Sequence, residues 1–174
     1  VPAETFFMSA GKIFGLKELA LQSDALRAQG LRLVFTNGCF DLLHVGHVRY
    51  LQAARRRGDA LAVAVNGDDS VRALKGPTRP INCEADRAEV LAGLECVDFV
   101  VLFHTPRVDA VIREVRPAIY VKGGDYTLDT LDPDERAALE AVGARIEIVG
   151  LVPGKSTTAV VQKMAADSGS EAAK

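Results

Sequence analysis

An α/β fold, an open parallel five-stranded sheet with helices on both faces, is what this sequence predicts, and three observations predict it. Short apolar runs recur along the chain with helix-patterned stretches between them, the rhythm of strands joined by crossover helices. The middle runs, such as Ala60 to Val65, are nearly continuous in apolar residues, as strands covered on both faces are. At 174 residues the chain has the length of one domain and can bury a sizeable core.

Each element has a local reason. A helix over 16–29 places Leu16, Leu19, Ala20 and Leu26 on roughly one apolar face, expected to dock on the domain's own core. Leu33 to Thr36 forms the first strand, closed by Asn37 and Gly38. The helix over 45–57 ends in Arg55, Arg56, Arg57 and Gly58, which put positive charge and a permissive residue at its C-terminus. Ala60 to Val65 is the second strand, and NGDDSVRALKGPTRPI after it reads as a loop. A helix over 84–94 follows a cap at Asn82, and Asp98 to Phe103 is the third strand. Pro106 suits the first turn of a helix over 106–115. Ala118 to Val121 is the fourth strand, before a helix over 132–142. Arg145 to Val149 alternates polar with apolar residues, which predicts an edge strand. Ser156 can cap a last helix over 156–166. Residues 1–166 are thus expected as one domain, with the small polar residues 167–174 as a flexible tail.

Composition narrows the function. A net charge of −2 argues against a general nucleic-acid-binding surface. No apolar stretch approaches the roughly 20 residues that span a bilayer, and the N-terminus lacks the pattern of a signal peptide, so no membrane association and a cytoplasmic location are expected. Cys39, Cys83 and Cys96 are odd in number and widely spaced, and read as reduced thiols; Cys39 is expected to pack rather than react.

The informative stretch is TNGCFDLLHVGH, residues 36–47. It falls at the carboxyl edge of the sheet, where open α/β sheets bind ligands. His44 and His47, three apart at a helix start, share a face beside unpaired backbone N–H groups, and Gly46 leaves room for a ligand between them. Phosphate binding fits this pattern. An incidental pair, a metal site completed by Cys39 or Asp41, and a nucleophilic histidine remain open alternatives.

Three later stretches carry matching chemistry. Arg72, Lys75 and Arg79 make a basic segment, either solvated or facing phosphates, with a flexible Lys75 and a forked Arg79. VKGGDY ends the fourth strand with Lys122, Gly123, Gly124 and Asp125, a cation, two permissive residues and an acceptor at one rim. Lys155, Ser156, Thr157 and Thr158 enter the last helix, where hydroxyls either cap it or join its N-terminus in holding an anion. Arg87 pairs on the surface with Glu84 or Glu89 in the plain reading.

GCFDLLHVGH, with its glycine, phenylalanine and aspartate at fixed offsets from the histidines, resembles the signature of the HxGH nucleotidyltransferase superfamily. The resemblance runs over about residues 12–165. Within that superfamily FTNGCFDLLHVGHVRYLQAAR, LKGPTRPIN, ADRAEVLAGLECVDFVV, RPAIYVKGGDY and STTAVV look like the adenylyltransferases that make ADP-heptose from D-glycero-D-manno-heptose 1-phosphate. It implies a Rossmann-like sheet and transfer of AMP from ATP to a sugar 1-phosphate, with Mg²⁺ or Mn²⁺ held mainly by the ATP phosphates. It also implies His44, His47 and Lys75 as catalytic residues. Thr36, Asn37, Gly38, Phe40, Gly46, Arg87, Gly123, Asp125, Ser156, Thr157 and Thr158 would bind nucleotide or phosphate, and Asp41, Arg79 and Lys122 the acceptor.

A homodimer is a family expectation. The related domain is often fused to a sugar kinase, so a separate kinase is expected upstream of this chain. Two departures stand out: Val161 replaces a usual basic residue after the Ser-Thr-Thr segment, and TLDTLDPDERAAL differs from the usual continuation of KGGDY and bears on sugar selection. Competing readings are cytidylyl transfer to glycerol 3-phosphate or a related alcohol phosphate, and a nucleotide-binding regulatory module without turnover.

Overall fold

The structure, a computed structural model, describes residues 10–124, 127 and 129–150. Five strands, β1 (Leu33–Gly38), β2 (Ala60–Asn66), β3 (Phe99–Phe103), β4 (Ile119–Gly123) and β5 (Arg145–Val149), form one sheet in the order β3-β2-β1-β4-β5. Every pairing is parallel. All seven residues of β2 are buried, which explains its unbroken apolar run, and alternating β5 lies at an edge as its pattern predicts. At the other edge Ile13 bridges to Val100 and the Phe14 N–H donates to the Val100 carbonyl at 2.9 Å, covering part of the β3 edge.

Helices α1 (Leu16–Ala28), α2 (Val45–Arg55), α4 (Glu84–Ala92), α5 (Asp109–Val115) and α6 (Pro133–Val142) correspond to expected segments. The two sheet faces hold separate cores. On one, Leu19 of α1, Ile112 of α5 and Leu139 of α6 pack on Phe35, Ala62 and Tyr120. On the other, Leu51 of α2 and Leu91 of α4 pack on Val34, Val63 and Val121. Each fully buried leucine contributes about 1.5–3 kcal/mol through removal from water. The α1 stripe of Leu16, Leu19 and Leu26 joins the first core.

Three expectations are corrected. The segment after β2 contains a helix, α3 (Asp68–Lys75), bounded by Gly67 and by Gly76 at φ 98°. Its polar sequence hides it, because within it Ser70 and Val71 are the residues that reach the interior. Helix α5 begins at Asp109, so Pro106 precedes its first turn. The N-cap of α4 is Cys83, while the Asn82 side-chain amide donates to the Asp41 carbonyl at 3.0 Å. The expected last helix and tail lie outside the described residues. Among the described residues no helix is long and apolar enough to cross a membrane.

Candidate active site

The sheet order reverses direction between β1 and β4, the place where open α/β sheets leave a crevice beyond their carboxyl ends. A cleft of about 580 Å³ lies there, walled by the ends of β1, β2, β3 and β4 and by Lys75 at the end of α3. Asn37, Gly38, Phe40, Asp41, His47, Lys75, Lys122 and Gly123, all expected as site residues, line it.

The turn after β1 is shaped by sterics. Phe40 takes φ 47°, which turns its ring back over Gly38; a Cβ there would come within 3.1 Å of that ring. The same ring meets His47 edge-on at 5.5 Å between centroids. His44 is the N-cap of α2, its Nδ1 accepting from the Gly46 N–H at 3.1 Å. The two imidazoles lie 4.0 Å apart between centroids.

His47 is pulled down to about 4 by burial, with the charges of His44 and Lys75 adding to the effect. At neutral pH its ring is therefore uncharged and presents one N–H and one lone pair. Its Nδ1 is buried without a hydrogen-bond partner among the described residues, the kind of orphan found where a group is held for chemistry. The shift has a sign for stability. Because the folded pKa lies below the ordinary 6.5, the unfolded chain binds the proton more readily between about 4 and 6.5, so stability rises with pH across that window. Melting curves from pH 4 to 7 should show this acid-side loss reduced in His47→Gln; an unchanged slope would contradict it.

Asp41 works inward. Its buried carboxylate accepts from Arg79 Nη1 at 2.8 Å, from the Ile81 N–H at 2.7 Å and from the Asn82 N–H at 3.1 Å. Burial alone would raise its pKa, but the Arg79 hydrogen bond, the two backbone N–H groups and the Arg79 charge outweigh it and hold the carboxyl below its usual range. Asp41 and Arg79, expected at the acceptor, thus fasten the segment after α3 to the β1 turn.

Two other expected contacts are corrected. Thr36 is fully buried, 2.7 Å from the Tyr50 hydroxyl, which donates to the Val121 carbonyl at 3.0 Å; the Thr36 hydroxyl therefore donates to Tyr50 and serves the core. Burial pushes the Tyr50 phenol up to about 12, against the Thr36 hydrogen bond. Arg87 pairs with neither Glu84 nor Glu89 on the surface. It is buried and donates to the carbonyls of Asn82 at 3.0 Å, Asn66 at 2.7 Å and Cys39, and to Asp68 at 2.9 Å. It braces the loops behind the cleft.

Gly123 has a packing reason beside its place in the cleft, since a Cβ there would sit 2.8 Å from the Tyr50 ring. Asp125, Lys155, Ser156, Thr157 and Thr158 lie outside the described residues.

Other cleft residues were not expected as ligand contacts, among them Cys39, which the sequence assigns to packing, and Glu135. Cys39 places its sulfur 3.9 Å from Asn66 Oδ1, with burial pushing the thiol up against the opposing charges of Lys75 and Arg87. Glu135, from the first turn of α6, enters the wall beside Lys122. The spacing of Tyr120 and Lys122, two apart on one strand and so on one face, was the available signal for their partnership. Among the described residues no three His, Cys, Asp or Glu side chains gather into a metal site.

The switch point of this parallel sheet thus carries a histidine-bearing helix start and the Lys75 ammonium over an open cleft, an arrangement of the α/β class suited to binding phosphate. The chain belongs to the cytidylyltransferase-like family, which matches residues 35–170. It is 51% identical over 156 residues to the bifunctional protein HldE of Geotalea uraniireducens (strain Rf4), covering 90% of this chain and 31% of that protein. The chain thus spans about a third of the length of that curated relative. Among solved structures, the lipopolysaccharide core biosynthesis protein from Thermoplasma volcanium GSS1 superposes with a TM-score of 0.59 at 31% identity, over 71% of this chain and 98% of that one. Pantoate-beta-alanine ligase from Francisella tularensis shares the fold at TM-score 0.53 and 13% identity, over 80% of this chain and 66% of that one.

Proposed function

We propose that this chain transfers AMP from ATP to D-glycero-D-manno-heptose 1-phosphate, giving ADP-heptose and pyrophosphate for a surface-glycan or lipopolysaccharide precursor. The observation that carries this reading is the match to part of HldE over 90% of this chain, whose switch-point cleft is walled by His47, Lys75 and Lys122. A phosphate oxygen of the sugar attacks the α-phosphorus of ATP in line; a new P–O bond forms as the bond to the β-phosphate oxygen breaks and pyrophosphate leaves. No covalent enzyme intermediate is needed.

Catalysis then rests on positioning and on charge stabilisation. His47, neutral near pH 7, acts as a hydrogen-bond donor to a phosphate oxygen, and His44 holds the helix start beneath it. Lys75, on an exposed helix end, follows the charge that develops on the equatorial and leaving oxygens. Asp125, Ser156, Thr157 and Thr158 belong to the nucleotide side of the proposal. Mg²⁺ or Mn²⁺ bound with the triphosphate would supply charge neutralisation at the phosphates, and Asp41 would not hold it, being already committed to Arg79 and two backbone N–H groups.

The acceptor is the product of a sugar kinase, on this polypeptide or another, and a homodimer in the cytoplasm completes the proposal. The family's cytidylyltransferase-like description favours one second reading, cytidylyl transfer, with glycerol 3-phosphate or a related alcohol phosphate as the acceptor. Pyrophosphate release with ATP and the heptose 1-phosphate is expected; release only with CTP and glycerol 3-phosphate selects the second reading. Nucleotide binding without release from any pair leaves a regulatory module.

A further inference from the structure

Four polar side chains converge where β1 and β4 end beside the start of α6. Lys122 Nζ lies 3.3 Å from Asn37 Oδ1, 3.0 Å from the Tyr120 hydroxyl and 3.4 Å from Glu135 Oε2. The Lys122 and Glu135 side chains are 13% and 11% exposed, so this ion pair is shielded far more than a surface pair. The Tyr120 hydroxyl also lies 2.7 Å from Asn37 Oδ1 and 3.2 Å from Glu135 Oε2.

Hydrogen-bond logic fixes the orientation of Asn37. An ammonium only donates, so the Asn37 atom facing Lys122 is the carbonyl oxygen, and the amide NH₂ is the end left for the cleft that Asn37 lines. Glu135 lines the same cleft and engages Lys122 and Tyr120 through Oε2, leaving Oε1 as its acceptor for a ligand. The corner thus offers a donor and an anionic acceptor side by side. A carboxylate in the wall repels phosphate and welcomes an O–H, while an amide N–H is accepted by the same hydroxyl's lone pair.

We infer that the Asn37, Lys122 and Glu135 corner reads hydroxyl groups of the acceptor, with Glu135 as a specificity-determining residue and Lys122 positioning Asn37 and Glu135 rather than holding the acceptor phosphate. This rests on the proposed transfer to a sugar 1-phosphate and refines its acceptor side. Apolar Phe103 and Val108, in the same cleft, supply the wall against which the carbon face of a sugar can rest.

The test is steady-state kinetics on the purified full chain with ATP, the heptose 1-phosphate and a set of deoxy analogues each lacking one hydroxyl. No turnover by the unmodified chain overturns the function proposed above and is distinct from failure here. Given turnover, Glu135→Gln should raise the KM for the sugar about tenfold to a hundredfold, leaving the KM for ATP near its starting value. The unmodified chain should discriminate against at least one deoxy analogue, and Glu135→Gln should lose that discrimination, the coupling a shared contact produces. Equal losses for every acceptor, or an unchanged sugar KM, would overturn the inference. Should Glu135→Gln fail to fold, Glu135→Asp, which keeps the charge while withdrawing the carboxylate, must show the same selective rise in sugar KM or the inference falls.

Discussion

Replacing His47 by alanine is expected to lower kcat for pyrophosphate release by about a hundredfold to a thousandfold, the loss seen when one preorganised donor to developing charge is removed. The reason lies in its surroundings. Burial holds the ring neutral and water-poor in the cleft wall, and a hydrogen bond formed there needs little reorganisation. The fold should survive, because Nδ1 of His47 has no partner among the described residues and no bond to Nδ1 in the free protein is lost. His44→Ala should differ in kind. It too should lose rate, and in addition it removes the N-cap that accepts from Gly46, costing about 1 kcal/mol of stability. Melting temperatures beside kcat separate the two effects, and normal turnover in both variants would remove the pair from the mechanism.

The second large effect concerns stability. Arg87→Met keeps a long apolar stem but strips four hydrogen bonds from a buried guanidinium, leaving the Asn82, Asn66 and Cys39 carbonyls and the Asp68 carboxylate without it. Breaking such a buried charged hub costs about 3–5 kcal/mol. For a domain of this size that is a fall in melting temperature of roughly ten degrees. Arg87→Lys should recover only part of it, since an ammonium lacks the planar fork that reaches several carbonyls at once. A melting temperature within about two degrees of the unmodified chain would show that the hub is dispensable.

Arg87 also shows where sequence reading stops. Its position after the basic segment was legible, but three of its partners are backbone carbonyls, which carry no residue-type signal, so a buried brace looks the same as a surface cation. Strands were legible because burial on both faces demands unbroken apolar runs, as in ALAVAV of β2. Helix α3 was not, because its inward-facing positions include the polar Ser70, whose hydroxyl accepts from the Asn66 side chain at 3.0 Å. In the cleft, the glycines and histidines of TNGCFDLLHVGH announced a site because few plain turns need them together. Glu135 gave no such notice: in DPDERAAL it reads as one more acid in a helix's first turn, and only the fold brings it against Lys122.

The Asp41 to Arg79 ion pair joins residues 38 apart in sequence and closes the chain between them into a ring. Lys75 rides on that ring four residues from the clasp. Its ammonium is consequently held at the cleft from two sides, by the helix that ends at Lys75 and by the clasp that follows it. Lengthening the segment between Lys75 and Arg79 would loosen one of those two restraints without touching a single residue of the cleft wall.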